Sequence, residues 1–194
     1  SPRGQSETSK KSRNICYAIK NDQSGIIGKA AEVLKSCLHS GMEEFFGPDR
    51  ILVAVPRSSP IKEGALWPPL RICEEIVAAG LAREVRPWLQ RVKPVTKSAS
   101  AGIGQRPDPA AHFETIESRE GGLLPLKITL IDDVVTRGST LCASVALLRH
   151  HFPAADVKAF ALVRTCGLVP DVTEITDPKI GIIRYSNGWL QREP

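Results

Sequence analysis

Three short runs of apolar or β-branched residues set the tightest limit on how this chain folds: ILVAV at residues 51–55, ITLI at 128–131, and AFALV within 157–163. None alternates between apolar and polar, so a strand built from any of them needs cover on both faces. Between the runs stand segments with helical spacing. Ile27, Ala30, Ala31, Leu34, Cys37 and Leu38 predict a helix over about residues 24–40, with Gly41 as its stop. Leu70, Cys73, Ile76, Val77 and Leu81 predict a second, and Leu141, Val145 and Leu148 a third that reaches Phe152. Doubly covered strands alternating with helices predict an α/β fold, Rossmann-like, with a mainly parallel central sheet flanked by helices. Residues 15–20 and 88–92 read as further short strands, and 180–183 form a last apolar run.

The chain has 194 residues, 42% of them apolar, which suits one domain over residues 15–194 behind a flexible basic tail at 1–14. No apolar run approaches the length of a membrane span, and the polar start carries no secretory signal. Five cysteines without a C-x-x-C pair suggest neither a zinc site nor a disulfide framework, so a reducing cytoplasm is expected. The net charge of +5 suits a phosphate-binding enzyme somewhat better than a nucleic-acid binder, because no aromatic ladder interleaves with the basic residues. Residues 93–120, rich in Ser, Ala, Gly and Pro, make a connection long enough to be functional or disordered.

The densest chemistry lies in LKITLIDDVVTRGST, residues 126–140. A strand over 126–131 runs into Asp132 and Asp133. Val134 and Val135 lead on to a loop of Thr136, Arg137, Gly138, Ser139 and Thr140, and a helix is expected to start near Gly138 or Ser139. In an open α/β sheet, ligands bind beyond the carboxyl ends of the strands. A helix start there offers unsatisfied N–H groups and partial positive charge. The hydroxyls add donors and Gly138 allows close backbone approach, which together make a phosphate seat. The two carboxylates repel a phosphate, but they can accept hydrogen bonds from sugar hydroxyls or hold Mg²⁺ through water. One ligand with a phosphate at one end and a diol beside it satisfies both halves, and ribose 5-phosphate has that geometry. Two acids after a strand are by themselves an ordinary polar loop, and Ser, Thr and Gly are common at helix starts. The reading rests on the whole run.

ITLIDDVVTRGST resembles the 5-phosphoribosyl-1-diphosphate (PRPP) binding motif of type I phosphoribosyltransferases, with Arg137 where a small residue is frequent. The resemblance implies that family's fold, with a small C-terminal hood in residues 166–194. It places Asp132 and Asp133 near the ribose 2′ and 3′ hydroxyls, as catalytic groups and as ligands of Mg²⁺, the implied cofactor. It places Val134, Thr136, Arg137, Gly138, Ser139 and Thr140 around the 5′-phosphate. LVAVPRSS is similar to the strand and loop that contact pyrophosphate, with Arg57 and Ser58 as donors in a strained turn of the kind a non-proline cis peptide gives. Residues 93–120 stand where the family has a mobile catalytic loop, with Lys97 catalytic and Ser98 and Arg106 closing over the diphosphate.

Within the family, ICYAIKNDQSGIIGKAAEVL and QRVKPVTKSASAGIGQRPDPAAHF look most like the ComF (competence protein) branch, without its zinc segment. Lys20 stands at a frequent lysine, and His112 near a frequent asparagine. The expected activity is Mg²⁺-dependent transfer of a phosphoribosyl group from PRPP to a small nitrogenous acceptor. The alternative is a non-catalytic sensor of PRPP or nucleotide, or a DNA-handling protein. A homodimer is left open, and nucleic acid is open but not favoured. No P-loop, dinucleotide fingerprint, H-E-x-x-H or G-x-S-x-G occurs.

Overall fold

The computed structural model describes residues 4–23, 25–96, 107–119, 125–166, 169–174 and 178–193. Its helices are α1 (Glu7–Lys20), α2 (Ile26–Ser36), α3 (Pro68–Ala78), α4 (Pro109–Phe113) and α5 (Ser139–His151). Its strands are β1 (Gly47–Ala54), β2 (Ala82–Val85), β3 (Leu89–Arg91), β4 (Ile116–Ser118), β5 (Lys127–Val135), β6 (Asp156–Arg164), β7 (Ile182–Ser186) and β8 (Trp189–Glu193).

The central sheet is parallel throughout, in the order β2-β1-β5-β6. Its two middle strands, β1 and β5, are the apolar runs, and Leu52, Val53, Leu130 and Ile131 are fully buried. The two crossovers lie on opposite faces. On one, α3 packs Ile72, Cys73 and Ile76 with α2 and with Leu52, Ala54 and Ile131. On the other, α5 packs Leu141, Leu147 and Leu148 against Ile51, Val53, Ile128 and Leu130. Each of the valine, leucine and isoleucine side chains among these contributes about 1.5–3 kcal/mol by leaving water.

The chain winds outward from β1 to β2 on one side and from β5 to β6 on the other. The winding therefore reverses between β1 and β5, and a crevice opens at the carboxyl ends of those strands. At the opposite edge, buried Arg50 ties three strands together. It donates to the Ile128 carbonyl at 3.2 Å and to the Asp156 carboxylate at 2.5 Å.

Several expectations need correction. Residues 15–20 are helix, not strand, and the helix begins at Glu7, so the flexible-tail reading fails for residues 7–14. Ser6 caps α1 by accepting from the Ser9 N–H at 3.0 Å. Asp171 in turn accepts from the Ser6 N–H at 3.0 Å, from the Ser6 hydroxyl at 2.7 Å and from the buried Ser9 hydroxyl. The segment expected as one loop over 93–120 contains α4 and β4, and β4 pairs antiparallel with β3. The strand expected to end at Ile131 continues to Val135.

The C-terminal residues form the hairpin β7–β8. Its turn places Asn187 and Gly188 at positive φ (51° and 79°), the geometry that suits a two-residue hairpin loop. No helix among the described residues is long and apolar enough to cross a membrane.

Candidate functional site

β1 stops pairing with β5 at Ala54 opposite Ile131, while β5 stays paired with β6 as far as Val135 opposite Arg164. The last four residues of β5 thus overhang with one edge bare. Across from that edge runs the loop after β1, whose Val55 N–H donates to the Ile131 carbonyl at 2.8 Å and whose Val55 carbonyl accepts from Trp67 Nε1 at 2.8 Å. Between them lies a cleft of about 400 Å³, lined by residues 55–58, Leu66, Pro68, Pro69, Lys20 and all of residues 132–141. A larger hollow of about 680 Å³ opens between α1 and the start of α2, but of the charged residues lining it Lys10 is paired with Glu7 at 3.1 Å, an exposed ion pair on one helix. The chemistry gathers in the smaller one.

Asp132 and Asp133 stand in the overhang, inside the strand end rather than beyond it. Each holds one carboxylate oxygen on a backbone N–H: Asp132 Oδ1 accepts from Asp133 N at 2.9 Å, and Asp133 Oδ1 accepts from Val134 N at 2.8 Å. Burial pushes the Asp132 carboxyl well above the usual carboxylate range. The adjacent Asp133 raises it further by its charge and by a hydrogen bond between the side chains, while Lys20 opposes the shift. The crowding therefore favours the protonated form of Asp132, which a cation between the two carboxylates would oppose.

The phosphate-seat expectation meets a helix start with no side-chain cap. Gly138 is the N-cap of α5 at φ 92°, and among the described residues no side chain caps the first N–H groups of the helix. A Cβ on Gly138 would stand 2.5 Å from Ile183 Cδ1, so the tip of that side chain on the β7–β8 hairpin would have to shift, and the 92° φ itself favours glycine here. The hairpin is anchored by Arg192, which donates to the carbonyls of Val135 at 3.3 Å and Thr165 at 2.6 Å.

Val134, Thr136, Arg137, Gly138, Ser139 and Thr140 all line the cleft together with Asp132 and Asp133. Arg57 and Ser58 line its other wall, yet the Arg57 guanidinium is turned onto the Leu66 carbonyl. The described backbone there is trans, not the cis turn that the resemblance implied. Lys97, Ser98 and Arg106 lie outside the described residues.

Three residues that sequence reasoning did not place in the site belong to it. Lys20, at the end of α1, lines the cleft and faces the acid pair electrostatically. Arg91 and His112 are buried behind it. Arg91 donates from Nε to the Arg57 carbonyl at 2.9 Å, and its Nη2 meets His112 Nδ1 at 3.0 Å. His112 Nε2 stands 3.3 Å from Thr140 Oγ1. A lysine at a frequent family position was the available signal for Lys20. His112 stands near a frequent asparagine, which did not mark it as a site residue, and Arg91 gave no signal, because only the fold brings the two together.

No protein-family model matches the chain, and no curated protein matches it. Solved structures similar to it include adenine phosphoribosyltransferase from Saccharomyces cerevisiae, complexed with an imino-altritol bisphosphate and adenine. It is 15% identical, with 75% of this chain and 72% of that chain covered and a TM-score of 0.43. A hypoxanthine phosphoribosyltransferase from Staphylococcus aureus is 10% identical, with 76% and 68% covered and a TM-score of 0.41. Likeness at this level is one of outline.

Proposed function

We propose that this chain is a Mg²⁺-dependent phosphoribosyltransferase that binds PRPP in the β1–β5 cleft and transfers its phosphoribosyl group to a nitrogenous acceptor, releasing pyrophosphate. One observation carries the reading: the Asp132–Asp133 pair and the uncapped start of α5 share a single cleft at the reversal of the sheet. In this reading the N–H groups of α5 and the hydroxyls of Thr136, Ser139 and Thr140 hold the 5′-phosphate. Asp132 and Asp133 accept from the ribose hydroxyls, and their charge favours the positive character that grows on the sugar. The acceptor nitrogen's lone pair forms the new bond to C1′ as the C1′–O bond breaks and its electron pair leaves with pyrophosphate.

Ser58 and the 55–58 backbone meet the diphosphate, joined by Arg57 once it leaves Leu66. Lys97, Ser98 and Arg106 are assigned to the diphosphate on the sequence resemblance alone. The carboxylate oxygens not held by backbone N–H groups suit Mg²⁺, a hard cation that takes one or two carboxylates and completes its shell with water and substrate oxygens. No cluster of three metal-ligating side chains occurs among the described residues, which fits an ion shared with substrate. When bound, Mg²⁺ supplies neutralisation of charge on the leaving diphosphate.

A non-catalytic sensor of PRPP draws on a different observation, the commitment of the Arg57 guanidinium to a neighbouring carbonyl. Thermal stabilisation by PRPP with Mg²⁺, followed by pyrophosphate release over a panel of bases, separates the two. Turnover that falls about a hundredfold in Asp133→Asn, on the order of 3 kcal/mol, supports the transferase. Stabilisation without turnover for any base supports the sensor, and neither effect ends both readings.

A further inference from the structure

Behind the phosphate-facing wall of the cleft lies a polar group set that no part of the reaction above requires. Arg91 and His112 are 4% and 3% exposed, and the guanidinium makes four contacts. Nε donates to the Arg57 carbonyl at 2.9 Å, and Nη1 to Thr115 Oγ1 at 2.5 Å and to the His112 carbonyl at 3.4 Å. Nη2 meets His112 Nδ1 at 3.0 Å, and the far ring nitrogen, Nε2, meets Thr140 Oγ1 at 3.3 Å.

The proton positions follow from donor and acceptor chemistry. A guanidinium has donors only, so His112 Nδ1 must accept. Burial lowers Arg91 to about 10, so it stays a cation at neutral pH, and burial lowers His112 to about 4, so the ring stays neutral. A neutral ring that accepts at Nδ1 carries its hydrogen on Nε2. That hydrogen is donated to Thr140 Oγ1, and the Thr140 hydroxyl hydrogen must then point elsewhere. Among the described residues it has no protein acceptor, and Thr140 lines the cleft.

We propose that Arg91 and His112 are positioning residues that fix the Thr140 hydroxyl as an obligatory donor into the cleft, so that this spot of the seat accepts an anionic phosphate oxygen and rejects a hydrogen-bond donor. The same guanidinium holds the Arg57 carbonyl, so one buried group sets both the donor on one wall and the position of the other wall. The inference rests on the phosphate-seat reading above and adds the element that would enforce it.

The test uses the full chain labelled with ¹⁵N-histidine. Long-range ¹H–¹⁵N spectra at neutral pH, with His112 assigned by its loss in His112→Gln, report the tautomer directly. The expected result is a bare Nδ1, a protonated Nε2, and an Nε2 resonance that moves when ribose 5-phosphate is added. A hydrogen on Nδ1, or exchange between tautomers, overturns the proposal, and the tautomer itself is read on the unaltered chain.

Calorimetry with ribose 5-phosphate supplies the second arm. Thr140→Val should weaken binding about 10- to 100-fold, the loss of a hydrogen bond to a charged group, while Thr140→Ser should stay within about threefold. His112→Gln, whose amide can both accept from Arg91 and donate to Thr140, should hold affinity. His112→Leu should lose as much as Thr140→Val, and the two losses should not add in the double variant. Wild-type affinity in folded His112→Leu, or additive losses, overturns the proposal. PRPP turnover with hydrogen on Nδ1 would sink the inference and leave the transferase standing. The expected tautomer, with phosphate-dependent shifts but no PRPP turnover, would do the reverse.

Discussion

Acid should weaken this fold through His112. Burial pushes the ring from its ordinary 6.5 down to about 4, the Arg91 charge adds to the drop, and Asp108 opposes it. The unfolded chain takes up the proton near the ordinary value, and the folded chain only near the lowered one. Between them the unfolded state binds more protons, so stability falls as pH drops below 6.5 and levels off near 4. At about 1.4 kcal/mol per pH unit the full window is worth about 3 kcal/mol, a large part of a typical 5–15 kcal/mol. The assay is urea unfolding of wild type and His112→Gln at steps from about pH 7.5 to 4, so that groups common to both cancel. Wild-type stability, measured relative to the variant, should decline by about 3 kcal/mol across the window. A difference that stays flat with pH would show that the imidazole is not held neutral, and the reasoning would fall with it.

Asp132→Asn should stabilise the protein at neutral pH by about 0.5–2 kcal/mol while abolishing PRPP binding. The raised carboxyl favours its protonated form in the fold, so the benefit should shrink as pH falls towards the ordinary carboxylate value, as thermal melts against pH would read. Gly138→Ala should cost on the order of 2 kcal/mol, because it meets both the 92° φ and the Ile183 side chain, and ribose 5-phosphate should bind more weakly in calorimetry. Arg192→Ala should release β7–β8 from the Val135 and Thr165 carbonyls, seen as faster amide exchange in residues 182–193 with that of β1 unchanged.

The sheet and its crossovers were legible because β1 and β5 are buried on both faces and their residues say so without alternation. The cleft was half legible. The overhanging end of β5 carries its acids, valines and hydroxyls in one continuous stretch, so residues 132–140 could be read as a unit. α1 was hidden because its inward face is not uniformly apolar. Buried Ser9 stands on it, satisfied by Asp171 far along the chain, and that hydroxyl broke the period that Ile15, Ala18 and Ile19 would have shown. β2 was missed because an edge strand of four residues with Arg83 and Glu84 at its centre looks like a loop. The pairing of Arg91 with His112 joins residues 21 positions apart through the β3–β4 hairpin, and no local pattern encodes such a meeting.

The attachment of α1 has a reach that its own residues do not suggest. One end is stitched to Asp171 and the other delivers Lys20 to the acid pair, about 20 Å away at about 1.5 Å per residue over 14 residues. The helix is a strut, and a rigid strut transmits displacement. Loosening the serine–aspartate knot at its foot would shift the lysine whose charge opposes the raised carboxyl of Asp132, so the acid pair is tuned in part from the opposite end of the helix.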